Sequence, residues 1–424
     1  MFRRKLVPII IFFLALTQIA QAAETKLTLD EAIAIALRDN RDVLLDSAEV
    51  EKAAAKIREA WSSVIPSLNV TAQRAVTQNL ANKPYTTNYI QAELKQVLFA
   101  GGKYINTIKY NEFDKQVKEA LLDKTKLELA LSVKTAFSTL LLAKDFSEMN
   151  KRMLENAVSH LQLAKERYKN GEASESDILN AQSYLSNTQQ NYDESLNQVE
   201  ANQALLRNLL YFNDTVTIIP DAQFAYEPQE IAYDRSLLAA LEKRPEIRQY
   251  EAQEKANKKA VSIQRAGYLP TVYATWDSYS GDRFIIETGG AGGKWKNYNV
   301  YGITLTWPLF DGFSTKSKIE QAMVDLKEAQ ILKQKAVKDI ALELKNAYLS
   351  LKNSISSIDA TESDLVFYRQ NLATAKQRFK EGILSELDLD DAELKYRIAS
   401  FNKEQALYDY IIARSTFDKA TGGI

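Results

Sequence analysis

The chain is an internal duplication. Ala164-Lys165-Glu166-Arg167-Tyr168-Lys169-Asn170-Gly171 returns as Ala375-Lys376-Gln377-Arg378-Phe379-Lys380-Glu381-Gly382. The registration runs without a gap from Leu98-Phe99-Ala100-Gly101 against Leu309-Phe310-Asp311-Gly312 to the end of each half. The offset is about 211 residues, far longer than a solenoid period. An earlier block, Ala36-Leu37 to Pro66-Ser67-Leu68, matches Ala240-Leu241 to Pro270-Thr271-Val272. Such a repeat implies a pseudo-symmetric architecture. It places function at an axis or rim created by the symmetry rather than in one catalytic pocket.

Glycine and proline are segregated. Lys103 to Asn170 and Ser314 to Glu381 contain neither, each a run of about 68 residues that greatly exceeds an ordinary helix. As helix, each run would reach about 100 Å at 1.5 Å per residue. Each ends at one glycine, Gly171 or Gly382, preceded by basic residues as a helix C-terminus prefers. Ser174 and Ser385 follow, with Asp177 and Asp388 three residues on, the spacing of a capping box that starts a new helix. The pattern predicts two very long helical hairpins. Their returning arms carry heptads: Ile178, Leu185, Tyr192, Val199 and Leu206 in the first, Ala392, Ala399, Ala406, Ala413 and Ala420 in the second.

Four other segments alternate polar and apolar residues: Pro66–Asn79, Thr87–Phe99, Pro270–Gly281 and Asn297–Phe310. Each has the length of a tilted strand crossing a bilayer. Trp276, Tyr279, Trp295, Tyr298, Tyr301 and Trp307 gather near the strand ends, as an interfacial girdle does. A soluble sheet with one wet face alternates similarly. If the segments span a membrane, four strands are too few, because closed barrels start at about eight and open edges are not tolerated in lipid. Several chains must then share one barrel.

Residues 1–22 read as an export signal: Arg3-Arg4-Lys5, the apolar run Leu6 to Ile19, and Ala20-Gln21-Ala22 as cleavage site. No later stretch is apolar enough for a membrane helix. A formal net charge of −1 offers no basic excess for nucleic acid. The absence of cysteine removes disulfides, thiolate metal sites, cysteine nucleophiles and a lipid-anchor cysteine together. His160, the single histidine, has no metal-ligand partner at helical spacing. Gly289-Gly290-Ala291-Gly292-Gly293 lacks the Lys-Ser/Thr of a phosphate loop and suits an exposed barrel loop. Neither an enzyme nor a cofactor or metal protein is indicated. A periplasmic coiled-coil adaptor or tether is the alternative to a channel. It explains the hairpins but not four symmetric bilayer-length strands.

Across essentially its whole mature length the chain resembles TolC-like outer-membrane efflux proteins. The resemblance is carried by several motifs in order. Leu29-Asp30-Glu31-Ala32 leads to Ala36-Leu37-Arg38-Asp39-Asn40, and Leu241 to Ile247 is the counterpart, similar to A-L-x-x-N-P-x-[LI]. Ala266-Gly267-Tyr268-Leu269-Pro270 resembles the helix-to-strand junction, and Trp307-Pro308-Leu309-Phe310-Asp311-Gly312 the strand-to-helix junction. Arg378 to Gly382 and Asp388-Leu389-Asp390-Asp391-Ala392 resemble the periplasmic turn.

The family fold implies a mainly α homotrimer with membrane β-strands. Four strands per chain would build a twelve-stranded outer-membrane barrel, continued by a long periplasmic α-helical barrel. Residues 23–212 and 234–424 would be the two repeats, and 213–233 an equatorial connection. The function implied is an outer-membrane exit duct of a tripartite efflux pump or type I secretion system. A periplasmic adaptor (membrane fusion protein) and an inner-membrane pump would be its partners.

Asp388 and Asp391 align with the family's constriction acids, and Asp177 with an acid that helps hold the entrance shut. Phe379 and Leu384 stand where the family's pattern has a tyrosine and an arginine, so the polar latch those would form is missing. Gly171 and Gly382 would be the adaptor-docking tips. Glu381, Glu386, Asp390 and Glu393 read as solvated tip residues.

Overall fold

In the computed structural model the described residues are 24–79, 82–226, 232–282, 295–381, 383–384 and 386–423. Residues 1–23, where an export signal is expected, Gly289–Gly293, Gly382, Ser385 and part of 213–233 lie outside them. The elements run β1 (Glu24–Leu27), α1 (Leu29–Asp39), α2 (Arg41–Ser62), β2 (Ser67–Asn79), β3 (Asn82–Ala100), α3 (Lys103–Lys169), α4 (Glu175–Leu210) and β4 (Thr217–Pro220). They continue with α5 (Tyr233–Lys243), α6 (Pro245–Arg265), β5 (Thr271–Gly281), β6 (Lys296–Thr306), α7 (Ser314–Lys380) and α8 (Glu386–Ala420). The two glycine-free and proline-free runs are thus α3 and α7, 67 residues each. The chain divides into two compact units, residues 24–36 with 135–223, and 37–134 with 224–424.

The first unit pairs β1 with β4 in parallel, Glu24 opposite Thr217 through Leu27 opposite Pro220. This small sheet was not foreseen from the sequence, where four-residue strands leave too short a periodicity to read. Ile218 is fully buried there, and its backbone is satisfied by a buried glutamine. Gln203 Nε2 donates to the Ile218 carbonyl at 2.7 Å, and the Ile218 N–H donates to Gln203 Oε1 at 3.0 Å. Lys144 Nζ donates to the same carbonyl at 3.2 Å. In α4 the heptad set Ile178 to Val199 is half-buried, whereas Thr188 and Ser195 are buried. Both hydroxyls donate back to the preceding turn, to the carbonyls of Tyr184 at 2.8 Å and Tyr192 at 2.6 Å, and so need no other partner.

In the second unit α7 and α8 form a hairpin around a continuous core. Ile340, Leu344, Leu351 and Ile358 meet Ala406, Leu407, Tyr410, Ala413, Phe417 and Ala420. The alanine heptad is the buried face of α8, down to Ala420 at 0% exposure. Small side chains at a seam bring two helix backbones close. Phe224 and Tyr226 close the cluster edge-on against Tyr408 and Tyr410, with ring centroids 6.2 and 5.0 Å apart.

The same unit carries an antiparallel sheet in the order β2-β3-β5-β6. The strands begin and end near the expected limits, with two differences. β3 starts earlier, at Asn82, because the polar segment before Thr87 continues the β2 ladder to Asn79 opposite Asn82. β6 stops at Thr306 because Pro308 lacks the N–H a ladder requires. The register Leu68–Leu94–Trp276–Tyr301 fixes one face. That face collects Leu68, Val70, Leu94, Val272, Trp276, Ile303 and Leu305, with Ile303 still 75% exposed. The opposite face carries Asn69, Thr71, Gln91, Glu93, Lys95, Thr275, Asp277 and Thr304. An apolar outside and polar inside is the division of a membrane barrel. The terminal strands β2 and β6 each leave one edge unpaired among the described residues.

A buried ionic cluster ties the end of α8 to the start of α6. Arg244, with its side chain 3% exposed, contacts Glu246 at 2.7 Å and Glu343 at 2.8 Å, and Lys419 reaches Glu343 at 2.8 Å. Arg244 Nη1 also donates to the Lys419 and Ala420 carbonyls at 3.4 Å, among the last backbone acceptors of α8. Burial pushes the Glu343 carboxyl up, but hydrogen bonds from Arg244 and Lys419 outweigh it and hold it below the ordinary carboxylate range.

Two outcomes follow for stability. Ala406→Leu should force the α7–α8 seam apart and cost about 1–3 kcal/mol, read as a lowered denaturation midpoint. Because Glu343 is depressed in the folded state, its contribution is complete above the unfolded carboxylate value of about 4.3 and fades as pH falls through the folded one. Amide protection factors at the α8 end, corrected for the intrinsic pH dependence of exchange and followed from pH 6 to pH 3, should fall more in the wild type than in Glu343→Gln.

Candidate functional site: the two hairpin tips

Each tip is built by helix termination. At the first, Gly171 has φ +80° with nothing near its missing Cβ, so the constraint there is conformational rather than steric. The Glu172 N–H donates to the Arg167 carbonyl at 2.8 Å and the Gly171 N–H to Tyr168 at 3.0 Å, a Schellman closure. At the second, the Ile383 N–H donates to the Arg378 carbonyl at 2.9 Å, the symmetry counterpart of the first bond. Gly382 itself lies outside the described residues.

Asp177 occupies the first tip as the N3 residue of α4. Its carboxylate accepts from the Ser174 N–H and hydroxyl, both at 2.8 Å. The backbone bond and then the hydroxyl bond hold this carboxyl below the usual carboxylate range. A helix start is therefore one duty of Asp177. The equivalent Ser385–Asp388 pairing involves a residue outside the described ones.

The second tip gathers Phe379, Leu384, Asp388 and Asp391. Phe379 ends α7 at 39% exposure, and Leu384 is half-buried in the turn. Asp388 and Asp391 are exposed on α8, three residues apart and so on one helical face. Asp391 is not a bare acid. Lys395 Nζ donates to its carboxylate at 2.6 Å, with the Asp391 side chain 56% exposed. That hydrogen bond and the carboxylate's charge hold the Lys395 proton more firmly than usual. The i,i+4 acid-to-base spacing of this pair is visible in the sequence.

Glu393 also departs from expectation. It is one of the acids read as solvated, yet it is partly buried and bridges the two helices. Lys376 of α7 lies 3.1 Å from it and Arg397 3.6 Å. Further up the hairpin, Lys403 pairs with Glu362. The second hairpin is thus laced by ion pairs from tip to shaft, and Asp388 and Asp391 are among its exposed acids. Among the described residues there is no cluster of His, Cys, Asp and Glu able to hold a metal, and no helix is long and apolar enough to cross a membrane.

The second unit joins the α7–α8 hairpin and a four-stranded amphipathic sheet, and comparison with known proteins shows the family that the chain belongs to. Residues 32–210 and 237–423 match the model of the outer membrane efflux protein family. The chain belongs to that family. It is 22% identical to the outer membrane protein TolC of Escherichia coli (strain K12) over 99% of this chain and 86% of that protein. It is 24% identical to the alkaline protease secretion protein AprF of Pseudomonas aeruginosa over 72% of this chain and 64% of AprF. In fold it is similar to the Campylobacter jejuni CmeC outer membrane channel, with a TM-score of 0.79 at 21% identity over 93% of this chain and 85% of that one. The protein is an outer-membrane efflux or secretion channel, of a family that consists of channels rather than enzymes.

If Asp388 and Asp391 line an entrance, Lys395 tempers it. Asp391→Asn should lower cation selectivity and cation block of the conducting trimer, and Lys395→Gln should raise both. Reversal potentials in planar bilayers under a KCl gradient measure this. Unchanged values in both variants would remove Asp391 from the conduction path.

Proposed function

We propose that this protein is the passive outer-membrane exit duct of a tripartite efflux pump or type I secretion system. The observation that carries the reading is the four-stranded sheet with one apolar face, one polar face and, among the described residues, two unpaired edges, in a chain with two helices of 67 residues. A homotrimer supplies the missing strands. Three such sheets joined edge to edge make a twelve-stranded barrel with the polar face inward, and outer-membrane lipid meets the apolar face. The hairpins extend into the periplasm as an α-helical tunnel.

In this reading residues 1–22 are the export signal, 23–212 and 234–424 are the two repeats, and 213–233 joins them. Transport needs no reaction in the duct. The energy comes from an inner-membrane pump, coupled through a periplasmic adaptor that docks at the tips marked by Gly171 and Gly382. Asp388 and Asp391 form the periplasmic constriction, aided by Asp177, and Phe379 and Leu384 supply apolar closure where the family's pattern is polar. The name of AprF, a secretion protein, supports a protein-export branch, and that of CmeC, a channel, is neutral between cargoes. The adaptor or tether alternative has no use for a sheet whose apolar face is exposed.

The chain has no cysteine, so single cysteines introduced at Asn170 and Glu381 are unique labels. Photocrosslinkers attached there should capture a periplasmic adaptor in intact cells, and the purified protein should run as a heat-sensitive trimer. A folded monomer in detergent would refute the shared barrel. Capture only by reagents acting from outside the cell would invert the topology.

A further inference from the structure

The two repeats are built alike where sheet meets helix. Ser67 stands opposite Lys95, and their repeat counterparts Thr271 and Thr306 stand opposite each other, so the β2–β3 and β5–β6 hairpins share one register. Gln96 Nε2 donates to the Val64 carbonyl at 3.0 Å. At the counterpart positions Trp307 Nε1 donates to the Tyr268 carbonyl at 3.1 Å. The repeats meet in the sheet where β3 of the first pairs with β5 of the second.

Contacts from one repeat to the other are one-sided. Gly101, where β3 gives way to α3, is covered by the second repeat. A Cβ there would meet the Leu269 Cβ at 2.8 Å and the Ala266 carbonyl at 3.1 Å. Its counterpart Gly312 has the same left-handed backbone, φ +67° against +61°, but nothing among the described residues lies within 4 Å of its missing Cβ. The counterpart of Leu269 is Ile65, which is 59% exposed. An open socket and an uncovered apolar side chain are thus the two halves of a contact that is closed elsewhere in the same chain. The helices repeat the asymmetry. Arg248 of α6 pairs with Asp123 of α3 at 2.9 Å, and Ala120, one turn before Asp123, is buried. The counterparts of Arg248 and Ala120 are Leu44 on α2 and Ile331 on α7, and both are exposed.

We infer that a second copy of this chain completes these contacts by the same operation that relates the two repeats. Ile65 of one protomer seats over Gly312 of the next, Leu44 faces Ile331, and β2 pairs with β6 in the register of β5 with β3. Within the chain Lys95 is opposite Thr275 and Leu94 opposite Trp276. Carried to the counterpart positions, these pairs place Thr306 opposite Thr71 and Leu305 opposite Ala72 of the neighbouring protomer. That register keeps Leu305 on the same side as Leu68 and Val70. A slip of one residue would turn one of the apolar faces to the lumen, and a slip of two would carry Ile65 away from its socket. The contact is heterologous, so it makes a ring when the rotation closes. The inference rests on the duct reading, which supplies the closed trimer, and adds which residues meet.

The chain has no cysteine, so paired cysteines test the register in the full-length trimer with bismaleimidoethane. Thr71→Cys/Thr306→Cys should give covalent dimers and trimers that survive boiling in SDS. Ala75→Cys/Thr306→Cys should give monomers, because its thiols are displaced by about 13 Å along the strand. Linkage inside one chain does not compete, since β2 and β6 stand about 14 Å apart across the sheet. Ile65→Asp should lower the temperature at which the trimer dissociates, and Ile65→Leu should preserve it. If a cysteine pair prevents assembly, the Ile65 variants still decide. Linkage in both cysteine trimers, in neither, or only in the Ala75 pair would overturn the inference and leave the duct reading standing, as would an unchanged dissociation temperature in Ile65→Asp. A wild-type protein that is a folded monomer in detergent would instead overturn the duct reading, and this interface with it.

Discussion

A sheet edge cannot be left open in hydrocarbon, and this constraint governs the rest of the molecule. Every backbone N–H and C=O at membrane depth needs a partner within the protein, because no water is present to supply one. Among the described residues the chain provides four strands with an apolar face but only three of the pairings a closed ring needs, leaving β2 and β6 as edges. The proposed trimer follows from that deficit. So does the division of labour along the strands, where successive side chains alternate between lipid and lumen. The strand ends are fixed by the same logic. Prolines at 66, 270 and 308 stand where ladder hydrogen bonding begins or stops, and Gly101 and Gly312 adopt φ of +61° and +67° where strands give way to α3 and α7.

The duplication persists in the backbone more than in the side chains. Asn40 caps α2 by accepting from the Asp42 N–H at 2.9 Å. Its repeat counterpart is Arg244, which starts α6 but spends its guanidinium on Glu246, Glu343 and the α8 terminus. Both positions are buried. A neutral cap in one half has become the centre of an ionic cluster in the other. The returning helices diverge in the same way. The alanine seam of α8 corresponds in the repeat to Ala181, Thr188 and Ser195 of α4, not to the Ile178 heptad. In α4 the tightest positions are hydroxyl residues that satisfy themselves, while α8 solves the same close approach with methyl groups.

These particulars separate what was legible in the sequence from what was not. Long helices announce themselves by what they lack, so α3 and α7 were visible from missing glycine and proline to within a residue or so. The strands were visible because one face is apolar along its full length. The Asp177 cap followed from local spacing, which needs no tertiary information. The β1–β4 pair was not legible, because it joins segments almost two hundred residues apart through strands too short to show a period. The Arg244 cluster and the Glu393 bridges were missed for a related reason. An ion pair between helices depends on which face of each turns inward, and one sequence gives that phase only approximately over a 67-residue helix. Tyr279 and Tyr298 belong to the aromatics whose place near strand ends suggests an interfacial girdle. Register alone reveals that Tyr279 and Tyr298 share the polar face, whereas Trp276 and Tyr301 belong to the apolar one.

The tip chemistry bears on how a duct of this kind is held shut without the polar latch of the family's pattern. Within the second hairpin, Lys376–Glu393 and Lys403–Glu362 tie α8 to α7, so the hairpin has its own cohesion before any neighbour is considered. Exposed pairs of this sort contribute little individually, about 0–1 kcal/mol, and are weakened by salt. They set the angle of α8 more than they supply closing energy. Phe379, partly exposed at the end of α7, offers apolar surface that only another chain or element could cover. Burying it is insensitive to ionic strength in a way that a carboxylate–guanidinium latch is not. Under the proposed gate, Lys395 then has a second consequence beyond selectivity. By screening Asp391, it reduces the mutual repulsion that three converging carboxylates would exert, and that repulsion is the force opposing apolar closure. A resting state held by packing, with its acids partly neutralised in cis, needs no acid–arginine pair to stay closed.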